Sequence, residues 1–281
     1  MSLSKERCAE LDELCRVFRI DVLKAVHSIQ SGHPGGSLAV CEILTLLYQE
    51  EMNISADDPE NPDRDRLVLC KGHAAPMLYR KLIEKGFLPK DSMATLRRIN
   101  SQLQGHPSNH TPGVEMPSGP LGIGLSAAQG MAMGLKLNGS PARVYAILGD
   151  GELDEGAVWE AAASAPKFAL SNLTAIVDYN KVQLDGTTDE VMPLRDLEGK
   201  WKAFGWNVIR CNGHDISALH DALENAKKVA DKPTVIIADT IKGKGVSFME
   251  GKAAWHGKAI PDAELAQAIE ELGGDKSCPR L

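Results

Sequence analysis

Apolar residues recur at helical spacing near the start of the chain, at Leu11, Leu14, Cys15, Phe18, Val22, Val26 and Ile29. That period predicts a helix over residues 3–29. It stops at Ser31-Gly32-His33-Pro34-Gly35-Gly36, a run that no helix crosses comfortably. A second helix is predicted over 37–52, then a polar loop over 57–65 and a short strand over 66–70. Lys71-Gly72-His73 follows, with a helix to Lys85 and a short one near 92–99. The segment 105–124 holds four prolines and five glycines, too long for a passive connection, so it is expected to line something. A small-residue helix is predicted over 125–137.

The centre of the chain alternates cleanly. An apolar strand over 144–148 runs into Gly149-Asp150-Gly151, a helix is predicted over 155–170, and a second apolar strand over 173–177 stops before Asp178-Tyr179-Asn180. Strand, helix, strand in about thirty residues is a βαβ unit with parallel strands. Strands over 206–210 and 234–238 and helices over 216–230 and 262–272 complete the pattern. Such alternation predicts an α/β fold: a doubly wound, mostly parallel sheet with helices on both faces. No internal repeat or linker interrupts it, so residues 1–281 are expected to form a single domain.

If the two central strands are neighbours, Asp150 and Asn180 emerge together at the carboxyl edge of the sheet. A carboxylate and an amide oxygen there can share a small cation, and a glycine-lined helix start can hold a diphosphate. Charge and composition narrow the partners. A formal net charge of -7 argues against nucleic acid, which needs clustered Lys and Arg. No apolar run approaches the roughly 20 residues of a membrane span, and no signal-peptide core follows Met1. The six cysteines (8, 15, 41, 70, 211 and 278) include no CxxC pair and fit reduced thiols of a cytoplasmic protein.

Three of the loops expected at the carboxyl edge or at helix starts pair histidine with glycine: Gly32-His33, Gly72-His73 and Gly105-His106. Imidazoles suit proton transfer near neutral pH and bind hydroxyl or phosphate oxygens. Together with Gly149-Asp150-Gly151…Asn180, Lys71-Gly72-His73-Ala74, Gly119-Pro120-Leu121-Gly122 and Trp255-His256-Gly257, in this order, the chain resembles the N-terminal, thiamine diphosphate-binding half of transketolase. The likeness runs from about Ile20 to His256.

The resemblance implies the roles that follow. Asp150, Asn180 and the backbone carbonyl of Val182 would ligate Mg2+ (or Ca2+) bridging the cofactor's two phosphates. His73 and Gly151 would contact the diphosphate, while Gly119 and Leu121 would face the aminopyrimidine. His33, His106 and His256 would line the substrate channel, His256 also meeting the cofactor. Glu155 would join a hydrogen-bond network between paired active sites, with Glu160 near the same subunit interface. Cys70 and Ser108 depart from the family's usual Ser and acidic residue, the latter bearing on donor-sugar contacts. The pyrimidine-binding and C-terminal domains of a complete transketolase are expected on a partner chain, in an α2β2 assembly.

The implied reaction is transfer of a two-carbon ketol unit between sugar phosphates, as in the pentose phosphate pathway. A subunit of a decarboxylating enzyme of the deoxyxylulose-phosphate synthase type, or a regulatory subunit that keeps the fold, is the alternative. Ordinary readings stand beside these: a helix cap for Asp150 and a solvated face for Glu155 and Glu160. Lys242-Gly243-Lys244-Gly245 could contact phosphate, but reads more readily as a flexible charged loop. His27, His110, His214 and His220 carry no motif and read as surface or core histidines. Asp178 reads equally as support for the metal loop or as a turn residue.

Overall fold

In the computed structural model, which describes residues 2–275, five parallel strands form one sheet in the order β1-β2-β3-β5-β4. In chain order the elements are α1 (Lys5–Ile29), α2 (Pro34–Ala39), α3 (Cys41–Leu46), β1 (Arg66–Leu69), α4 (Ala75–Glu84), α5 (Ile123–Leu137) and β2 (Val144–Gly149). They continue with α6 (Gly156–Ser164), β3 (Leu173–Tyr179), α7 (Thr188–Val191), α8 (Leu197–Ala203), β4 (Asn207–Asn212), α9 (Ile216–Lys227), β5 (Thr234–Asp239) and α10 (Asp262–Glu271). The alternating strand side chains feed two cores. Tyr145, Ile147, Ile176 and Ile236 pack with α1, α3, α4, α9 and α10 on one face. Ala146, Leu148, Val177 and Ile237 pack with α5, α6 and α8 on the other. Burial on both faces is why these strands read as continuous apolar runs.

The differences from the sequence reading are local and physical. The helix predicted over 37–52 begins at Pro34, which suits the first helical turn, and divides into α2, α3 and a π-helical turn at Leu47–Glu51. The helix predicted over 155–170 ends at Ser164, because Pro166 opens a separate 3-10 turn. The helix predicted near 92–99 is only the 3-10 turn Ser92–Thr95, since Arg97 and Asn100 adopt positive φ. The sequence reading missed α7 and α8. The second carries Trp201, fully buried between Trp159 and Trp206. Cys8, Cys15, Cys41, Cys70 and Cys211 are free thiols, while Cys278 lies outside the described residues.

Three neighbouring strands release their chains at the same edge. β2 pairs with β3 so that Gly149 lies opposite Asp178, and β3 pairs with β5 so that Tyr179 lies opposite Asp239. Asp150, Asn180 and Thr240 therefore leave the sheet side by side, with Lys71 leaving from β1 beyond β2. That edge is where ligands lie in open α/β sheets.

Candidate active site at the carboxyl edge of the sheet

The floor of the site is a buried polar cluster centred on Asp178, the next-to-last residue of β3. Its side chain is fully buried and receives the Lys71 ammonium, the Thr240 hydroxyl and, at 3.0 Å, the Asn180 amide. Asp178 is thus a structural hub that holds three loops together, and Asn180 is oriented by it. The Asn180 Oδ1 accepts from the Val182 amide at 3.1 Å. Lys181 between them takes φ +66°, which lets its amide donate to Asp150. Asp150 also accepts from the Gly151 amide at 2.8 Å. Burial, and next the charge of Asp178, push the Asp150 carboxyl up to about 7.

Above this floor lies a cavity of about 150 Å3. Its walls bring together Asp150, Gly151, Asn180, Val182, His73, Leu121 and His256, seven of the residues singled out from sequence. Four imidazoles converge at its side. His73 lies 4.8 Å from His256 and 5.5 Å from His33 between ring centroids, and His33 lies 5.4 Å from His256 and 5.8 Å from His106. Gly36 makes the packing possible, since a Cβ there would sit 3.1 Å from the His73 ring. Burial first, then neighbouring positive charge, lowers all four: His33 to about 4, His256 to about 3, His73 well below its ordinary value, and His106 downward. Each shift favours the neutral imidazole, which can accept one hydrogen bond and donate another. The His33 Nδ1 is buried with no hydrogen-bond partner among the described residues. Gly119 borders His106, within 3.7 Å of its ring as measured from an added Cβ.

Glu155 is not part of this cavity. It caps α6 from outside, is exposed, and its side chain makes no hydrogen bond among the described residues. Glu160 is exposed on the same helix. The carboxylate that does organise the loop is Glu152, which the sequence reading missed. Only 2% exposed, it accepts from the Gly122 and Gly149 amides at 2.9 and 3.1 Å, tying the glycine-rich segment to the end of β2. Gly122 takes φ +90° there.

Lys242 corrects another expectation. It is not on a flexible charged loop: 2% exposed, it lines the cavity, and its Nζ donates to the carbonyls of Val182 at 3.1 Å and Gln183 at 3.3 Å. The same Nζ lies 3.0 Å from His256 Nδ1. Burial, and next the Lys71 charge, lower its pKa to about 8. Its burial could not be read from Lys-Gly-Lys-Gly, because the loop's path is set by the Gly243 amide bonding the Gly35 carbonyl at 2.9 Å.

The donor set fits a hard cation better than a soft one. Among the described residues no cluster of three or more His, Cys, Asp or Glu side chains is placed to hold a metal. One carboxylate, one amide and one carbonyl are oxygen donors of the kind Mg2+ takes together with phosphate oxygens. The Val182 carbonyl accepts the Lys242 ammonium in this structure, a bond that an ion held there would replace.

Comparison with known proteins accords with this geometry. Residues 11–279 match the family described as transketolase, thiamine diphosphate binding domain. The chain is 44% identical over 268 residues to the 6-deoxy-6-sulfo-D-fructose transketolase subunit of Clostridium sp. (strain MSTE9), covering 95% of this chain and 98% of that one. It is also 44% identical over 266 residues to an apulose-4-phosphate transketolase subunit from Actinobacillus succinogenes, covering 94% and 96%. Among solved structures, transketolase from Campylobacter jejuni superposes with a TM-score of 0.90 at 32% identity, covering 95% of this chain but 43% of that one. The chain thus spans less than half of that transketolase and nearly the whole of the two subunits. It belongs to the transketolase family and corresponds to that family's thiamine diphosphate-binding domain.

Proposed function

We propose that this chain is the cofactor-binding subunit of a two-subunit transketolase. In this reading it binds thiamine diphosphate and Mg2+ (or Ca2+) and transfers a two-carbon ketol unit from a ketose to an aldose together with a pyrimidine-binding partner. The observation that carries the reading is the cavity at the carboxyl edge, which gathers the oxygen donors Asp150, Asn180 and Val182 beside His73 and the Gly151 amide. At about 150 Å3 it suits the diphosphate end of the coenzyme. Leu121 and Leu184, 37% and 60% exposed on its rim, are the surface a second chain would cover. The names of the two relatives described above include the word subunit, which supports the same division of labour.

When bound, the cofactor supplies an acidic thiazolium carbon and an electron sink for the carbanion left by ketose cleavage. The residues of this chain do the rest. Asp150, Asn180 and the Val182 carbonyl would hold the ion, and the Gly151 amide, His73 and Lys242 would meet the phosphates. His33, His106 and His256 would face the sugar hydroxyls. Unprotonated imidazoles accept a hydroxyl proton or donate a ring N–H without bringing a fixed charge. Such a histidine-lined channel favours a polyhydroxylated substrate over a simple 2-oxo acid. The two relatives at 44% identity are named for a sulfonated and a phosphorylated ketose. A ketose carrying an anionic group at its far end is therefore the proposed substrate class.

Titration calorimetry tests the reading. Thiamine diphosphate with Mg2+ is expected to bind the chain mixed with its partner, and Asp150→Ala to abolish that binding. Absence of binding to the mixture, or unchanged binding by Asp150→Ala, overturns it.

A further inference from the structure

His214 lies on the turn between β4 and α9, at the far edge strand of the sheet, and does not line the cavity. Its side chain is 9% exposed and makes two hydrogen bonds of opposite sense. Nε2 faces the Ile241 amide at 2.8 Å, and Nδ1 faces Glu42 at 2.9 Å. An amide can only donate, so Nε2 accepts and the ring proton sits on Nδ1, donating to the carboxylate. Glu42, on α3, is itself fixed by both of its oxygens to Arg19 on α1, each at 2.7 Å. Burial alone would raise this carboxyl, but Arg19 and then His214 hold it down at about 2.

The amide that His214 receives belongs to the segment that carries Lys242. Thr240 on one side bonds Asp178, and Lys242 on the other reaches Val182, Gln183 and His256. Ile241 is 36% exposed, so packing does little to immobilise it; its carbonyl accepts from the Lys244 amide at 3.2 Å, and its own amide is held by His214. The neighbouring turn also presses on this segment: the Gly213 amide donates to Asp239 at 2.8 Å, and a Cβ on Gly213 would overlap the Thr240 methyl at 2.4 Å.

We propose that His214 is a positioning residue, braced by Arg19 and Glu42, which fixes the Ile241 backbone and thereby aims Lys242 into the cavity. The inference rests on the cofactor reading above for what Lys242 meets, but its mechanical part stands on this chain alone. Loss of the acceptor would loosen the backbone at Ile241, and although the Gly243–Gly35 and Gly251–Lys242 bonds remain, the ammonium would be less well aimed at Val182 and His256. That would weaken the hold on an anionic ligand without touching any residue that contacts it.

Two substitutions separate the two hydrogen bonds. His214→Asn keeps a donor near the Nδ1 position, whereas His214→Gln places an acceptor near the Nε2 position. Hydrogen exchange of the Ile241 amide is read first, on the chain without ligand. His214→Asn is expected to speed exchange at least tenfold with a melting temperature within a few degrees of the parent, and His214→Gln to keep most of the protection. Calorimetry with thiamine diphosphate and Mg2+, on the chain with its partner, is then expected to show affinity about tenfold weaker for His214→Asn. His214→Gln is expected to stay within threefold. Unchanged exchange in His214→Asn, or equal loosening by both variants, overturns the proposal. If exchange divides the variants as stated while even the parent assembly binds no cofactor, His214 still positions the segment, and it is the cofactor reading that fails.

Discussion

Replacing Asp178 by Asn tests whether the site is built on a buried ion pair. The substitution keeps size and shape but removes the carboxylate in contact with the Lys71 ammonium, which is 1% exposed. An ammonium left buried without its partner costs about 3–5 kcal/mol. The Thr240 and Asn180 bonds to Asp178 are also perturbed, although an amide oxygen can still accept one of them. Against a typical domain stability of about 5–15 kcal/mol, the expected loss is about a fifth or more of the total. It should appear as a fall in the urea midpoint at constant slope, and as a drop in Tm of about 6–12 °C. The double variant Lys71→Met with Asp178→Asn removes the stranded charge and is expected to recover at least half of the loss. A cost below about 1 kcal/mol for Asp178→Asn, or a double variant as unstable as the sum of its singles, would refute the ion-pair account.

Two further outcomes follow from the glycines and from the histidine cluster. Gly122→Ala, forced into φ +90° with its Cβ 2.7 Å from that of Glu155, is expected to destabilise by about 1–3 kcal/mol in a urea melt. Gly130→Ala, on the open face of α5 with nothing within 4 Å, is expected to stabilise by about 0.5–1 kcal/mol. Equal signs for the two would contradict the backbone argument. His33 and His256 titrate at about 4 and 3 when folded, against an ordinary 6.5, so the unfolded chain binds protons that the folded chain refuses. Their contribution to stability is full above about pH 6.5 and falls as the pH drops toward 4. Asp150, raised from 3.8 to about 7, acts in the opposite direction across that range. Comparison with a His33→Asn, His256→Asn variant isolates the histidine part: the variant should lose less stability between pH 7 and pH 5, and an identical slope would count against the assignment.

Much of this protein is legible in its residue order. Strands buried on both faces declare themselves as apolar runs, and the end of β2 is announced by Gly149-Asp150-Gly151 because glycine permits the close turn. Asp150, Asn180, Val182, His73 and His256 stand out by motif, and the structure brings them to one cavity. The meeting of Asp150, Asn180 and Val182 needs only that β2 and β3 be adjacent, which a short βαβ crossover favours, whereas His73 arrives after β1 and His256 from the loop beyond β5.

Other features depend on contacts between segments distant in sequence, and no local pattern encodes those. The place of β5 between β3 and β4 brings Thr240 to Asp178 and Lys242 to Val182, joining residues about sixty positions apart. The sequence around Lys242 reads as a flexible loop, because its burial comes from Gly35, Val182 and His256 rather than from its neighbours. His214 reads only as a surface or core histidine without a role, because its meaning lies in Glu42, 172 residues earlier, and in the Ile241 amide. Glu152 is overshadowed by Glu155 for the same reason: which of two acids on adjacent turns faces inward is settled by packing against Gly122. The sequence determines where strands end and which residues stand there, since that is local backbone chemistry. Which of those residues are buried together, and so which are oriented, charged or coupled, is decided only when the sheet order closes the distances between them.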